Sequence, residues 1–274
     1  MHQFLEATET YRDLMWRRES ANRIESPGAA ENFIESVGFC AALTDCRRPG
    51  PSLYIAVCGR RDAYMPRNVQ KDPESSLAWT LKDQLIRRGR VYYSKLVKGH
   101  STFIAPRLIP HFAQLWGVPR KAESRLLSTN AQKILRVLRS EWEMASGDLR
   151  KASGINERAH FNKALDELQK TFKVIATDVI YEPVFTYIWS IVEGRFREEL
   201  AAGVTREEAL TEIARAYLTG AGVTMRGELS RVTGLSRPDA GVGSWALVDE
   251  DYAVRVAPGV YLLKQLLTAD ATLQ

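Results

Sequence analysis

Apolar residues recur at helical spacing near the start of the chain, and this pattern predicts an amphipathic helix over residues 1–25. The stretch SPGAAENFIESVG that follows carries a helix-start signature, with Ser26 as N-cap, Pro27 in the first turn and Gly38 as the stop. Residues 51–59, PSLYIAVCG, are β-branched and aromatic and lie between Pro and Gly, so they predict a strand.

The next segments alternate between polar and apolar patterns. DAYMPRNVQKDPESS predicts a long loop, and LAWTLKDQLIRRG predicts a helix. RVYYSKLVKGHSTFIA predicts two short strands that form a hairpin around Lys98 and Gly99. PRLIPHFAQLWG predicts a further short helix.

From residue 128 the pattern becomes regular and then repeats. STNAQKILRVLRSE, MASGDLRKASG and NERAHFNKALDELQKT predict three helices, and FKVIATDVIYEPVFTYI is β-rich. The same order begins again at Thr205. Helix, short helix, turn, helix and two strands is the order of a winged helix, which predicts such units at 128–188 and 205–270.

Two phrases, GDLRKASGIN and GELSRVTGLS, lie eighty residues apart and mark the repeat. Gly154 and Gly234 fall where the turn after a second helix needs a permissive backbone. The other equivalent positions are Leu149 and Leu229, expected in the core of the second helix, and Asn156 and Ser236, expected to cap the third.

Residues 26–119 are interpreted as a degenerate first winged-helix-like unit with a basic hairpin, although the Gly-acid-Leu phrase is missing there. Residues 1–25 form a separate helical segment. The predicted fold is mainly α with small β-wings (α+β), built from tandem winged helix-turn-helix units.

Charge is divided unevenly along the chain. Residues 1–173 contain 29 Lys and Arg against 19 Asp and Glu, whereas residues 174–274 contain 9 against 14. A basic body with an acidic end favours a polyanionic partner, and an ordinary basic protein is the plainer alternative.

Composition excludes several classes of protein. No apolar run approaches the roughly 18 residues of a membrane helix, and the charged N-terminus does not read as a signal peptide. Cys40, Cys46 and Cys58 contain no CxxC pair, so they favour a reduced cytoplasm over a disulfide framework or a zinc site.

The densest basic stretch runs from residue 82 to residue 100 and has only one acid. Such a stretch favours contact with DNA phosphates, and a solvated helix end followed by core tyrosines is the alternative. The candidate DNA-binding residues there are Lys82, Arg87, Arg88, Arg90, Tyr93, Lys95, Lys98 and His100.

The third helix of the second unit supplies the other candidates for DNA contact. Arg and Asn are residue types suited to base edges, and His160 is equally consistent with a surface or capping role. The candidates are Arg158, His160, Asn162 and Lys163. In the third unit, Gly241 and Gly243 fall inside the corresponding helix, so that copy is predicted to pack rather than to read DNA.

Catalytic patterns are absent from the sequence. The four histidines show no metal-ligand spacing, and no P-loop, Rossmann fingerprint or GxSxG motif occurs, so neither a metal nor a small-molecule cofactor is expected. Asp45 has the most suggestive neighbourhood for chemistry, and a turn aspartate is its plainer interpretation.

From about Ser26 to Leu263 the order of motifs resembles the AlkZ-like proteins, relatives of YcaQ, which are DNA glycosylases acting on bulky alkylation damage and interstrand crosslinks. The resemblance is carried by GRVYYSKLVKGHSTFIAPRLIPHF, AQKILRVLRSEWEMASGDLRKASGI, KALDELQKTFKVIATDV and REEALTEIARAYLTGAGVTMRGELSRVTGLS. It implies tandem winged helices that form a concave DNA-binding body.

The chain departs from that family where active members carry a Gln-x-Gln or Gln-x-Asp motif. The corresponding stretch is VGFCAALTD, Val37 to Asp45, in which methyl groups and a thiol occupy the motif positions. These groups cannot orient water or stabilise a sugar cation, so the resemblance assigns no catalytic residue.

Three functions follow as alternatives. The first is binding of double-stranded DNA, damaged or distorted, without base excision. The second is an active glycosylase that uses a substitute carboxylate such as Asp45. The third is a protein-interaction scaffold, since tandem winged helices also dock proteins.

Overall fold

The structure is a computed structural model that describes residues 2–44, 49–96 and 99–267. Asp45, Cys46 and Lys98 lie outside the described residues. The fold is α+β, mainly helical with small antiparallel sheets. In the described part of the chain, no helix is both long enough and apolar enough to cross a membrane.

The chain forms two compact units. The first unit contains residues 1–82 and 205–274, and the second contains residues 83–204. The boundary between residues 82 and 83 falls within helix α4 (Pro73–Arg88). The finer division into 26–119, 128–188 and 205–270 stays a prediction.

The elements of the first unit are α1 (His2–Met15), α2 (Pro27–Val37), β1 (Phe39–Ala41), α3 (Leu53–Cys58), α4 (Pro73–Arg88), α12 (Arg206–Ala221), β7 (Val223–Thr224), α13 (Glu228–Thr233), α14 (Arg237–Asp249), β8 (Ala253–Ala257) and β9 (Val260–Leu263).

The elements of the second unit are β2 (Tyr92–Lys95), β3 (Ser101–Ile104), α5 (Ile109–Trp116), α6 (Glu123–Leu126), α7 (Thr129–Glu141), β4 (Glu143–Ala145), α8 (Ser146–Ala152), α9 (Arg158–Lys170), β5 (Val174–Ile180), β6 (Thr186–Ile191), α10 (Val192–Arg195) and α11 (Arg197–Ala201).

One order of elements, helix, strand, helix, helix, strand and strand, occurs three times along the chain. It comprises α2-β1-α3-α4-β2-β3, then α7-β4-α8-α9-β5-β6, then α12-β7-α13-α14-β8-β9. In the second and third repeats the last strand lies between the other two, giving sheet orders β4-β6-β5 and β7-β9-β8. The predicted order of three helices and a two-stranded hairpin is therefore confirmed in both of these repeats.

The repeated phrase forms the same helix–turn element in both copies. Gly154 and Gly234 have φ values of 64° and 83°, in the left-handed region that favours glycine. Leu149 and Leu229 are buried, as predicted.

The predicted cap is right in one copy and wrong in the other. The Ser236 side chain accepts a hydrogen bond from the N–H of Asp239, as an N-cap does. In the second copy the N-cap is Glu157 rather than Asn156. The N-cap of α9 therefore lies one residue later in the repeat, and its buried face begins at Phe161, seventy-nine residues before Ala240.

The strand predicted at 51–59 is wrong, since Leu53–Cys58 form helix α3. The Ser52 hydroxyl accepts from the N–H of Ile55 at 3.1 Å and starts the helix, and Gly59 ends it with a φ of 62°. All six helical residues are buried, and a short apolar run of this kind fits a buried helix as well as a buried strand.

The N-terminal helix is shorter than predicted. Helix α1 ends at Met15, and Arg17 has a φ of 58°, which breaks the helical path. The Trp16 indole N–H donates to the Gly220 carbonyl at 2.6 Å, so the end of α1 is tied to helix α12.

Helices α12 and α14 cross closely in the first unit. A Cβ placed at Gly243 would lie 2.4 Å from the Leu210 carbonyl oxygen and 3.0 Å from the Ala214 Cβ, whereas one placed at Gly241 would meet nothing within 4 Å. The prediction that this helix serves packing is consistent with the close crossing at Gly243.

The two glycines of α14 offer a matched test of this crossing. We expect Gly243→Ala to lower the free energy of unfolding by about 1–3 kcal/mol, because the added methyl group overpacks against backbone. Gly241→Ala is expected to raise it by up to about 1 kcal/mol, because alanine is the better helix former. Urea denaturation of both variants measures the difference, and equal effects would contradict the close crossing.

Candidate nucleic-acid interface

Four of the predicted site residues line one cleft in the second unit, which we call the α9 cleft. Tyr93, Lys95, Arg158 and Asn162 contribute to its walls, and its volume is about 760 Å³. The walls come from helix α9, strand β2, the start of α8 and the β5–β6 hairpin, whose aromatic side chains face the helix.

Helix α9 has one buried face and one exposed face. Phe161, Ala164, Leu165 and Leu168 are buried. The exposed face carries the four predicted residues Arg158, His160, Asn162 and Lys163.

The exposed face of α9 is largely unpaired. His160 lies with its Nδ1 atom 3.5 Å from a carboxylate oxygen of Glu157. Within the described ranges, Arg158, Asn162 and Lys163 have neither a hydrogen-bond partner nor an ion-pair partner. Arg158 and Asn162 are one helical turn apart, so two free polar groups project from neighbouring positions.

The β2–β3 hairpin is held against this helix. The Lys95 N–H donates to Oε1 of Gln169 at 3.2 Å, and the Lys95 ammonium lies 3.2 Å from Asp166. Tyr93 is buried, its hydroxyl donates to Ser101 at 3.0 Å, and its ring packs on Phe103. The side chain of Tyr93 therefore serves chiefly as part of the core, and Lys95 is half exposed.

The arginines at the end of helix α4 differ in their surroundings. Arg87 Nε lies 2.6 Å from Asp178, and the same guanidinium donates to the Val179 carbonyl at 2.6 Å. Burial tends to raise the pKa of Asp178, but the bond from Arg87 and the Val179 N–H hold it below its usual value. Arg87 is thus partly neutralised, although its side chain is exposed, and Arg88, Arg90 and His100 are exposed as well.

The structure corrects the prediction that Lys82 contacts DNA. Its residue is only 4% exposed, and its ammonium lies over the Trp79 ring, 4.0 Å from the centroid. Because a buried ammonium cannot reach a phosphate, Lys82 does not belong to the surface that the sequence predicted.

A second basic surface was missed by the sequence reasoning. Five exposed cations have no hydrogen-bond or ion-pair partner among the residues that the structure describes. We call them the α7 basic surface: Arg120, Lys121, Arg125, Lys133 and Arg136. The signal was present in the sequence, because residues 120–139 contain six bases and one acid.

The acid of that stretch, Glu123, is buried in an ion-pair network. Arg139 donates to both of its carboxylate oxygens at 2.8 Å, and Lys173 lies 2.6 Å away. Burial would raise the pKa of Glu123, but these two cations hold it below its usual value. Arg120 and Arg136 line the same 350 Å³ pocket and stay unpaired.

The β5–β6 hairpin was predicted as a wing, but its aromatic content was not singled out. Four rings follow one another at centroid distances of 5.2–5.4 Å, an aromatic ladder of Tyr181, Phe185, Tyr187 and Trp189. The Trp189 indole N–H donates to the Ser146 hydroxyl at 2.8 Å, which fixes the inner end of the ladder. Burial raises the pKa of Tyr187 to about 12, so its phenol stays neutral.

The stretch that departs from the catalytic motif is a short buried strand. Cys40 lies in β1 and is 2% exposed, and burial raises the pKa of its thiol well above the usual value. Ala42 is also buried. Asp45 lies outside the described residues.

No cluster of three or more His, Cys, Asp or Glu side chains in the part of the chain that is described could hold a metal ion.

Comparisons with known proteins agree with this architecture. The profile of the family described as AlkZ related matches residues 24–219. The structure is similar to that of Streptomyces sahachiroi DNA glycosylase AlkZ, with a TM-score of 0.60 and 12% sequence identity, over 95% of this chain and 71% of that one. At this identity the likeness establishes the fold alone.

A second solved structure, the DIP2311 protein from Corynebacterium diphtheriae, matches with a TM-score of 0.21 and 18% identity, over 77% of this chain and 40% of that one. That likeness is too weak to carry an argument. No curated protein matches the sequence. Because the AlkZ-related profile spans well over half of the chain, this protein belongs to the AlkZ-related family.

Proposed function

We propose that this protein binds double-stranded DNA through the α9 cleft and the basic surface beside it, without excising bases. The observation that carries the proposal is the exposed face of α9. Arg158, Asn162 and Lys163 are solvent-exposed and have no partner within the described residues, while the opposite face of the helix is buried. Unpaired polar groups on a rigid helix are available to a ligand at little cost in reorganisation.

The order of elements supports a winged-helix docking mode. In helix-turn-helix proteins the helix after the turn enters the major groove, and its N-terminal residues reach base edges. Helix α9 takes that place in the second repeat, and Arg158 and Asn162 stand in its first two turns. Arginine and asparagine form paired hydrogen bonds with guanine and adenine edges, respectively.

Phosphate contacts would come from the cations around this helix. Lys95 and Arg88 lie on the hairpin side, and the α7 basic surface adds further exposed charge. Each phosphate neutralised by such a cation releases condensed counterions, which favours binding at low salt. The relationship to a protein described as a DNA glycosylase also supports DNA as the partner.

The absence of excision rests on the motif stretch. Cleaving a glycosidic bond requires a group that activates water or stabilises positive charge on the sugar, and such groups contribute about a hundredfold or more each. Here Cys40 is a buried neutral thiol and two alanines follow it. A thiol in this environment behaves as a small hydrophobe.

We expect binding to duplex DNA to weaken steeply with salt. For four to six phosphate contacts, the slope of log K against log salt should be about −4 to −5. Replacing Arg158 and Lys163 together with alanine should make that slope shallower by up to about 2, because two cations are removed. Fluorescence anisotropy at several salt concentrations measures the slope.

The matched control replaces Arg206 and Lys264 with alanine. This pair removes the same total charge, but both side chains are already paired, with Asp239 and Asp251. The control should keep the parental slope. Equal effects of the two double variants would show that net charge alone governs binding, and salt-independent binding would favour the protein scaffold.

We expect no base excision from alkylated or crosslinked duplex DNA. The wild-type protein and Asp45→Asn should both leave the substrate intact when abasic sites are assayed by alkaline cleavage. Abasic product from the wild type that is lost in Asp45→Asn would identify a substitute carboxylate and make this protein an enzyme. Product from both proteins would contradict the proposal and point to another group.

A further inference from the structure

The tip of the β5–β6 hairpin, residues 180–185, exposes apolar side chains to solvent. Ile180, Tyr181, Val184 and Phe185 are 41%, 51%, 72% and 43% exposed. We call this segment the wing tip. Its one charged residue is Glu182, and residues 174–191 contain no Lys or Arg at all.

This composition is opposite to that of a phosphate-binding wing. A hairpin that grips a DNA backbone needs cations, because affinity for the backbone comes from neutralised phosphates. Phosphates would instead repel Glu182, and the four apolar side chains would stay exposed to water. Aromatic and aliphatic side chains match the faces of nucleobases, on which proteins stack rings or insert apolar wedges.

The rings of the hairpin form one connected aromatic surface. The aromatic ladder runs from exposed Tyr181 to Trp189, which is buried and anchored by its bond to Ser146. Phe185 packs edge-on against the rings on either side of it, at centroid distances of 5.4 Å and 5.2 Å. The Tyr181 hydroxyl donates to Asp83, which fixes the outer ring.

The opposite wall of the α9 cleft supplies the polar groups of a nucleotide site. Arg158 and Asn162 face the hairpin across the cleft and are unpaired in the described structure. The cleft volume, about 760 Å³, falls within the roughly 300–1,000 Å³ typical of pockets that enclose small ligands. A stacked base beside the ladder would therefore leave its phosphates near the cations of α9.

We propose that the wing tip and the α9 cleft bind nucleobases that are unstacked from the DNA helix, as in a bulge, a mismatch or a single strand. The inference rests on the proposed DNA binding and names the state of DNA that this site selects. In a regular duplex the base faces are covered by their neighbours, so the apolar ladder gains nothing from it. Where bases are unstacked, the faces are available without an added unstacking cost.

The test compares the affinities of three DNA probes by fluorescence anisotropy at one salt concentration. The probes are a paired duplex, the same duplex with a two-base bulge, and one of its single strands. We expect the bulged and single-stranded probes to bind about tenfold more tightly than the paired duplex. Phe185→Ala should weaken binding to the bulge by about 5- to 150-fold, because stacking of one base on an aromatic ring contributes that much to affinity. The same substitution should change duplex binding by less than about twofold.

Three further variants separate stacking from folding. Phe185→Trp keeps an aromatic ring and should bind the bulge as the wild type does. Tyr181→Phe keeps the ring but loses the bond to Asp83, so it should weaken bulge binding less than Phe185→Ala does. Tyr64→Ala removes an exposed ring from the other compact unit and should have no effect. A 2-aminopurine placed in the bulge should lose fluorescence on binding to the wild type and keep it with Phe185→Ala.

The outcomes distinguish the two proposals. If no probe binds, the proposed DNA binding itself fails. If all probes bind equally, or if Phe185→Ala weakens duplex and bulge alike, the protein binds DNA but the stacking site is overturned. Failure of Phe185→Trp to restore bulge binding would also overturn it.

Discussion

The buried side chain of Gln169 joins the elements on which the candidate interface depends. Its Oε1 atom accepts from the Lys95 N–H at 3.2 Å, and its backbone carbonyl accepts from the Ser94 hydroxyl at 3.4 Å. Through these bonds the last turn of helix α9 supplies hydrogen-bond partners to strand β2. Because a buried amide without partners would cost about 1–3 kcal/mol, the hairpin and the helix are fixed together. The orientation of the α9 cleft follows from that connection.

The repeats share an order of elements but present different surfaces. Helix α9 buries Phe161 and Leu168 and exposes cations, whereas α14 uses Gly243 to approach the Leu210 backbone of α12. A side chain at Gly243 would prevent that approach, so close packing in the third repeat requires glycine at this position. On the proposed function, one arrangement of helices reads DNA in the second repeat and stabilises the first compact unit in the third.

Local signals allowed most elements to be predicted, but they did not show which charged side chains are paired or buried. Serine caps and left-handed glycines mark helix ends within a few residues, as at Ser26, Ser236 and Gly154. Neutralisation depends on partners far away in sequence, as Asp178 is from Arg87. Lys82 illustrates the same limit, since nothing in its neighbourhood distinguishes a buried cation from an exposed one.

The same limit applied to helix α3 and to the wing. An apolar hexamer such as Leu53–Cys58 fits a buried helix or a buried strand, and only the cap and the stop decide between them. The aromatic residues are visible in the sequence YEPVFTYIW, but their arrangement depends on the pairing of β5 with β6, which places Tyr187 opposite Val179 and Trp189 opposite Ala176. Core tyrosines and exposed tyrosines look alike until the pairing is known.

On the proposed function, binding and cleavage depend on different parts of this chain. The exposed cations and unpaired polar groups that are proposed to bind DNA belong to the second compact unit. Cleavage needs a polarising group in the Val37–Asp45 stretch, and the described part of that stretch offers a neutral thiol and methyl groups. None of the described residues of that stretch contributes to the α9 cleft, so the two properties are structurally separate. On the proposed function, this member of the family keeps a surface that recognises distorted DNA without the chemistry of excision.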